Sequence, residues 1–241
     1  YNIFKGGETW TTKLTGSYEW QTSNESGSSM LNSWEFGVNS GLTFPRVLFP
    51  RLGRREYDFD ASTTFNVNYD QLNRAKYYQL LSFGGNITYD FQPSRFYHHS
   101  ITPLKLSFNV LQHTTAAFDS ISVRTPALYV SLKNKFIPAF EYSLTYNNTN
   151  RKNRKNGTWW NIDFMSSGNI TSLIYRALGR PFSEKNKDLF GSRFAQFLKL
   201  SSEYRYTWVI DKNQSLVSRV NAGILYSYGN STIAPYSEQF Y

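Results

Sequence analysis

The chain has 241 residues, of which 18% are aromatic and none is cysteine, and its formal net charge is +9. The lack of cysteine excludes disulfide bonds, thiolate metal sites and cysteine nucleophiles in this chain. No apolar run approaches the ~18 residues of a membrane-spanning helix, which excludes such a helix here. The basic charge permits nucleic acid, lipopolysaccharide or anionic lipid as a partner, so its placement along the chain matters.

Alternation of apolar and polar residues is the clearest pattern, and it first appears in TWTTKLTGSYEWQ. There Trp10, Leu14 and Tyr18 fall on one face, while Lys13 and Glu19 fall on the other. A period of two residues is typical of a β-strand with one apolar face. The pattern recurs in chain order at residues 34–44, 59–69, 81–91, 104–110, 136–146, 158–166, 198–208 and 216–228. The sequence therefore predicts an all-β protein with about nine strands.

Polar segments separate these strands, and they read as turns or loops. The longest, at residues 173–194, is predicted to be a surface excursion with a helical turn. Neither a linker nor a strict internal repeat interrupts the pattern, so we expect one domain over residues 1–241.

Two architectures give every strand one apolar and one polar face: a soluble sandwich and a membrane barrel, which turns its apolar face to lipid. Many of the predicted strands exceed the roughly 9–11 residues that cross a bilayer, whereas strands of soluble proteins average about 5–6. Aromatic residues also gather towards strand ends on the apolar face, as in the girdles at lipid–water interfaces. These residues are Trp10, Tyr18, Trp20, Trp34, Tyr89, Tyr204, Tyr206, Trp208, Tyr226 and Tyr228. The sequence thus favours an antiparallel transmembrane β-barrel in contact with membrane lipid.

The number of strands carries a further expectation. Single-chain bacterial barrels have an even number of strands, and an open sheet edge cannot face hydrocarbon. A count of nine therefore means either that the count is wrong by one strand or that the chain forms a partial barrel, which we expect here.

The end of the chain resembles a known family. In LVSRVNAGILYSYGNSTIAPYSEQFY, a strand ending in Tyr-x-Tyr-Gly is followed by a polar turn and then by Pro-Tyr-Ser-Glu-Gln-Phe-Tyr. This stretch resembles the start of the sixth extracellular loop of BamA/TamA-like outer-membrane assembly barrels. The loop residues so identified are Pro235, Tyr236, Ser237, Glu238, Gln239, Phe240 and Tyr241.

Upstream segments resemble the same family. NIFKGGETWTTKLTGSYEWQ is similar to its second-to-third strand turn, and SGLTFPRVLFP to the strand end and periplasmic turn that follow. SSGNITSLI and FLKLSSEYRYTW resemble its ninth and tenth strands, most like the lipoprotein branch. NNTNRKNRKNG departs from the Phe-Pro-Thr-x-Gly turn of many members, which leaves the branch open.

The resemblance implies that these strands are the third to eleventh of a sixteen-stranded barrel in the bacterial outer membrane. The implied function is insertion of nascent β-barrel proteins, the clients, by a barrel that templates a client strand at its seam. Accessory subunits of an assembly complex are implied as further partners.

Two basic clusters fall at predicted turns that the implied topology puts in the periplasm. They comprise Arg51, Arg54 and Arg55, and then Arg151, Lys152, Arg154 and Lys155. Anionic headgroups or partner subunits could bind them, and solvated turn charge is the alternative. A third set is expected on the outer surface near lipopolysaccharide phosphates: Arg176, Arg180, Lys185, Lys187 and Arg193.

No pattern in the sequence predicts catalysis. His98 and His99 are adjacent, so in a strand they point to opposite faces and make a poor metal pair. Phosphate loops, nucleophile elbows and zinc spacings do not occur, so we expect no enzyme activity, metal or cofactor.

Two alternatives stay open beside the assembly barrel. One is an ordinary outer-membrane porin, transporter or structural barrel. The other is a soluble basic β-domain that binds nucleic acid or glycan and would carry aromatic rings on its polar face for stacking. The aromatic residues here lie on the apolar face, so nucleic acid is not expected as a partner.

Overall fold

The computed structural model describes residues 7–21, 31–48, 60–74, 77–124, 132, 134–149, 156–179, 181, 187–189, 192–211, 213–231, 233–235 and 238–240. Its strands are β1 (Thr9–Gln21), β2 (Leu31–Phe44), β3 (Ala61–Arg74), β4 (Tyr78–Ser94), β5 (Tyr97–Gln112), β6 (Lys135–Asn147), β7 (Asn156–Ser167), β8 (Asp188–Leu189), β9 (Ser192–Arg193), β10 (Phe197–Asp211) and β11 (Gln214–Ser227). Two short helices accompany them, α1 (Ala116–Arg124) and α2 (Asn169–Ala177). The all-β prediction is confirmed.

Nine of the strands form one antiparallel sheet in the order β1-β2-β3-β4-β5-β6-β7-β10-β11. Neighbours in the sheet are neighbours along the chain, except that β10 pairs with β7 and the short β8 and β9 pair only with each other. The predicted count of nine is therefore confirmed. Strands β1 and β11 lie at the two edges, so over the described part of the chain the sheet is open.

The register separates two faces, which we call the apolar face and the polar face. One row of cross-strand partners on the apolar face is Leu14, Val38, Tyr69, Phe83, Phe108 and Phe136. The adjacent row on the polar face is Lys13, Asn39, Asn68, Gly84 and Ser107. Because side chains alternate between faces along a strand, one register fixes both rows at once.

The apolar face is exposed. Leu14 is 68% exposed, and Val220 and Ile224 are each 64% exposed. Single exposed apolar residues are normal on soluble proteins, but a continuous exposed apolar surface marks a site of contact with another apolar phase or partner.

The sheet has two ends, which are used as landmarks below. At the near end β1, β3, β5, β7 and β11 begin, and residues 45–60, 95–96, 148–155 and 212–213 connect strands there. At the far end the same strands end, and residues 22–30, 75–77, 113–134 and 168–196 connect strands there.

A small apolar core lies at the far end, on the polar face. Its buried members are Ile137, Ala139, Met165, Ala195, Phe197 and Ala234, with Leu225 packed against them. Residues of β6, β7 and β10 supply the floor, and Ala234 comes from the chain after β11. This core exists because later parts of the chain fold over the sheet at this point.

Helix α1 was not predicted from the sequence. Thr115 caps it, since its Oγ1 accepts a hydrogen bond from the Phe118 N–H at 3.3 Å. Phe118 is buried and its ring lies edge-on to Tyr78 with 5.3 Å between centroids. In the described residues, neither helix has the length and apolar character needed to cross a membrane.

The interpretation of SSGNITSLI as a strand is wrong in its greater part. Strand β7 ends at Ser167, and α2 begins at Asn169. Gly168 between them has φ +72°, and a Cβ there would lie 2.4 Å from the Ala195 carbonyl oxygen. This left-handed residue stops the strand, and an alternation pattern alone does not reveal such a turn.

Residues 194–196, which we call the strip, take the place that β7 leaves. The Ala195 N–H donates to the Phe136 carbonyl at 2.8 Å on one side. On the other side the Tyr228 N–H donates to the Gln196 carbonyl at 3.2 Å. The strip therefore fills the far end of the sheet between β6 and the chain that leaves β11.

Candidate functional site

The described residues after β11 lie over the polar face from Ile233 onwards, and we call residues 228–231, 233–235 and 238–240 the terminal segment. The Lys135 Nζ of β6 donates to the Ile233 carbonyl at 2.9 Å, and Ala234 is only 3% exposed. Beyond Pro235 the segment turns, because the Glu238 N–H donates to the Pro235 carbonyl at 3.0 Å. The segment is thus fastened to the sheet by its backbone.

Glu238 anchors the terminal segment to two strands. Its carboxylate lies 3.3 Å from the Lys199 Nζ of β10 and 3.8 Å from the Lys105 Nζ of β5. Lys105 also pairs with Glu141 of β6 at 2.7 Å. The Glu238 side chain is only 14% exposed, so these ion pairs are screened less than pairs at an open surface.

Phe240 extends the contact to the edge strand. Its ring lies against Gly223 of β11, where a Cβ would come within 2.4 Å of the ring. The Lys199 Nζ lies 5.1 Å from the centre of the same ring, a cation–π distance. The glycine therefore provides the space that brings the terminal segment down onto β11.

A cavity of about 260 Å³ lies beside this anchor. Its lining includes Asp163, Lys199, Ser201 and Glu238. Asp163 accepts hydrogen bonds from the Ser143 hydroxyl at 2.6 Å and from the Ser201 hydroxyl at 3.4 Å. The lining thus places carboxylates, a lysine and hydroxyl groups around one cavity on the polar face.

A second cluster of charged side chains lies on the polar face, closer to the near end of the sheet than Glu238. Arg219 of β11 makes two contacts with the Glu203 carboxylate, at 2.7 Å and 3.0 Å. Arg205 also pairs with Glu203, and its guanidinium carbon lies 4.4 Å from the centre of the Trp159 ring. The polar face of β7, β10 and β11 therefore carries fixed charge along most of its length.

The predicted interface aromatics all lie on the apolar face, in two groups and one intermediate position. Tyr18, Trp20, Trp34, Tyr226 and Tyr228 lie towards the far end, and Trp10, Tyr89, Tyr206 and Trp208 towards the near end. Tyr204 lies midway along β10.

The sequence interpretation missed Trp160. It is 44% exposed on the apolar face, and it donates from Nε1 to the Ser202 Oγ at 2.8 Å. Its neighbour Trp159 faces the opposite way. Alternation along a strand at residues 156–167 would have placed Trp159 and Trp160 on opposite faces, and so would have predicted the position of Trp160.

The basic clusters at 51–55 and 151–155 lie outside the described residues. The strands that flank them, β2 and β3 and then β6 and β7, have those termini at the same near end of the sheet. In the third set, Arg176 and Arg193 are exposed, while Arg180 and Lys185 lie outside the described residues. Lys187 is 1% exposed, so the expectation that it faces the surroundings is wrong.

The backbone of Lys187 is held by one side chain. Asn230 accepts a hydrogen bond from the Lys187 N–H at 2.8 Å and donates one to its carbonyl at 2.8 Å. Residue 187 is thereby fixed against the chain that follows β11.

The two adjacent histidines do point to opposite faces. His98 lies 3.8 Å from the Asp90 carboxylate on the polar face. His99 stacks on Phe91 with 5.0 Å between centroids and shares a 2.9 Å hydrogen bond with the Tyr142 hydroxyl. Among the described residues, histidine, aspartate and glutamate form no group of three or more with the geometry to hold a metal ion.

Comparison with models of known protein families gives no match to this chain, and comparison with curated proteins gives none either. The geometry of the two faces and of the terminal segment therefore carries the functional argument.

Proposed function

We propose that this chain is part of an integral outer-membrane β-barrel of the assembly type, which aids insertion or translocation of other proteins at that membrane. The observation that carries the membrane assignment is the exposed apolar face, which continues from β1 to β11. Moving one large apolar side chain out of water contributes about 1.5–3 kcal/mol, so lipid contact across nine strands is strongly favoured.

The barrel assignment follows from the edges. An open edge cannot face hydrocarbon with its backbone groups unpaired, so a sheet in lipid needs further strands that join β1 to β11. Closure into a barrel would enclose the polar face, and the charged groups around Glu203 and Glu238 suit a hydrated interior.

The assembly type is supported by the terminal segment. Its sequence resembles the start of the sixth extracellular loop of BamA/TamA-like barrels, a loop that in that family folds back into the barrel. Here Pro235 and Glu238 lie on the polar face, which would become the interior. An ordinary porin or transporter remains the alternative outcome of the tests below.

The proposed partners follow from this assignment. Client β-barrel proteins would be the substrates, and accessory subunits would bind on the periplasmic side, where the near end and its basic connections would lie. Lipopolysaccharide and other membrane lipids would surround the apolar face and the far end.

Adjacent tryptophans provide the test of the membrane assignment. Trp159 lies on the polar face beside Arg205, and Trp160 lies on the apolar face. In the full-length protein reconstituted in vesicles, each is kept in turn while the other tryptophans are replaced by phenylalanine. Lipids with a nitroxide on the acyl chain should quench Trp160 strongly and Trp159 weakly. Equal quenching, or quenching of Trp159 alone, would contradict the assignment.

Depletion tests the assembly function. When cells are depleted of the full-length protein, we expect several unrelated outer-membrane β-barrel proteins to decline in the outer membrane and to accumulate unfolded in the periplasm. Loss of uptake of a solute, with normal levels of the other barrels, would instead indicate a porin or transporter.

A further inference from the structure

Helix α2 is amphipathic in the inverse sense to a helix of a soluble protein. Thr171 and Ser172 face the protein and are buried, at 8% and 0% exposure. Ile170, Leu173 and Ile174 are 55–57% exposed, and Ala177 continues the same stripe. The spacing i, i+3, i+4, i+7 makes this one continuous apolar face, and nothing in the described chain covers it.

The inward side of α2 is held by polar contacts and one ring. Tyr175 stacks on Phe194 of the strip with 6.1 Å between centroids, and its hydroxyl donates to the Asp188 carbonyl. The outward direction of the apolar stripe is therefore fixed by packing on the opposite side.

Helix α2 lies on the apolar side of the sheet. Asn169, its first residue, donates to the Ser166 Oγ at 2.7 Å and accepts from the Tyr228 hydroxyl at 2.6 Å. Ser166 pairs with Phe140 and Leu198 in a row of the apolar face. Tyr228 stacks on Tyr226 of that face with 5.7 Å between centroids. The helix therefore begins beside the exposed apolar face, at its far end.

We infer that α2 is an interfacial helix, whose apolar stripe enters the acyl-chain region of the membrane while Arg176 meets lipid phosphate. This rests on the proposed position of the sheet in a membrane. Helices of this composition lie in the plane of the interface with their apolar side about 5–10 Å deep. Tyrosine is enriched at the same depth, which fits the Tyr226–Tyr228 pair beside the helix.

Lipid is favoured over a protein as the occupant because of the size of the surface. A stable protein interface buries about 800 Å² on each partner, which a stripe of four side chains on a helix of nine residues does not provide. A lipid surface needs no such area at one spot, because the helix adds to contacts that the sheet already makes. An exposed arginine beside an apolar stripe also matches the charge of anionic headgroups.

Single cysteines test the inference, because this chain has none of its own. Leu173→Cys and Ile174→Cys carry an environment-sensitive fluorophore on the helix. Ile224→Cys on the apolar face and Asn213→Cys in an exposed turn at the near end serve as matched controls. The full-length protein is reconstituted in vesicles of phosphatidylcholine and phosphatidylglycerol that contain lipids with a nitroxide high on the acyl chain.

We expect quenching by the nitroxide lipid at 173, 174 and 224 and quenching by aqueous iodide at 213. If 224 is quenched by lipid but 173 and 174 respond to iodide, the inference is wrong and the membrane assignment stands. If 173 and 174 are shielded from both quenchers, a protein or a second copy covers the helix and lipid is overturned. If 224 is not quenched by lipid, the membrane assignment fails and the inference fails with it.

Discussion

The two halves of the sheet are held together in different ways. In β1–β4 the polar face carries polar and charged side chains that contact each other between strands, such as Thr43 and Thr64 at 3.1 Å and Glu19 and Arg74 at 3.3 Å. In β5–β11 the strip fills the far end of the sheet, and the terminal segment lies over the polar face, where ion pairs and a small core hold it. Among the described residues, every buried hydrophobic side chain belongs to residues 118–234.

The two halves differ in where apolar side chains are buried. Strand pairing alone buries few apolar side chains, because most of the apolar face points outward. Burial instead marks the places where other parts of the chain pack on the sheet. These are the terminal segment on the polar face, and α2 on the apolar side, where Phe136 and Phe194 are buried. The polar face of the second half is therefore partly covered, while that of the first half is set mainly by strand register.

The largest expected effect comes from removing a ring of the covered half. Phe197→Ala should lower the free energy of unfolding by about 3–5 kcal/mol, because the side chain is fully buried in the small core with Ala195 and Ala234. Phe83→Ala is the matched change in the first half, and there the side chain is 46% exposed and its ring lies tilted against Phe108. Its loss should cost about 1 kcal/mol. Denaturant unfolding measures both, and equal losses would contradict the comparison.

A smaller effect is expected from two glycines with positive φ. Gly229 has φ +61° and Gly7 has φ +82°, so alanine at either should cost about 1–3 kcal/mol in backbone strain. At Gly229 the new Cβ would also lie 2.2 Å from the Oε1 of buried Gln196, whereas at Gly7 the nearest atom is the Pro45 Cγ at 3.5 Å.

Gly229→Ala should therefore destabilise more than Gly7→Ala in the same unfolding measurement. It should also loosen the terminal segment, which limited proteolysis of the folded protein would report. Greater loss from Gly7→Ala would show that the contact between the turn and the strip is unimportant.

The smallest expected effect concerns one ion pair in each half. Glu238→Gln should cost about 1 kcal/mol, because it removes a shielded carboxylate that faces two lysines. Glu19→Gln should cost no more than about 0.5 kcal/mol, because Glu19 and Arg74 are 58% and 48% exposed. Added salt should reduce the stability loss from Glu19→Gln more than the loss from Glu238→Gln. The reverse order would contradict the shielding of the Glu238 ion pairs.

Much of the fold could be predicted from the sequence because alternation is a local property. A period of two residues fixes both the strand and its two faces, so the nine strands and the apolar position of the aromatics followed from neighbours in sequence. The pairing of most strands then follows from short connections between consecutive strands, such as the two residues between β4 and β5.

What could not be predicted depends on contacts between distant residues. The anchoring of Glu238 by Lys105 and Lys199 joins residues far apart in the chain. The position of the Lys187 backbone is fixed by Asn230. The stop at Gly168 depends on a backbone conformation that many glycines do not adopt, and α1 has too few residues for periodicity to reveal it.

The strip has a consequence for the order in which the sheet forms. Most neighbouring strands are consecutive, so their hairpins close short loops and can form as soon as both strands are available. On the side away from β5, however, the Phe136 carbonyl of β6 bonds to the Ala195 N–H, which lies beyond β7 and α2 in the chain. In pulse-labelling hydrogen exchange during folding, we expect Ala195 and Tyr228 amides to gain protection last. Protection of these two amides would therefore show that β5–β11 and the terminal segment have all folded.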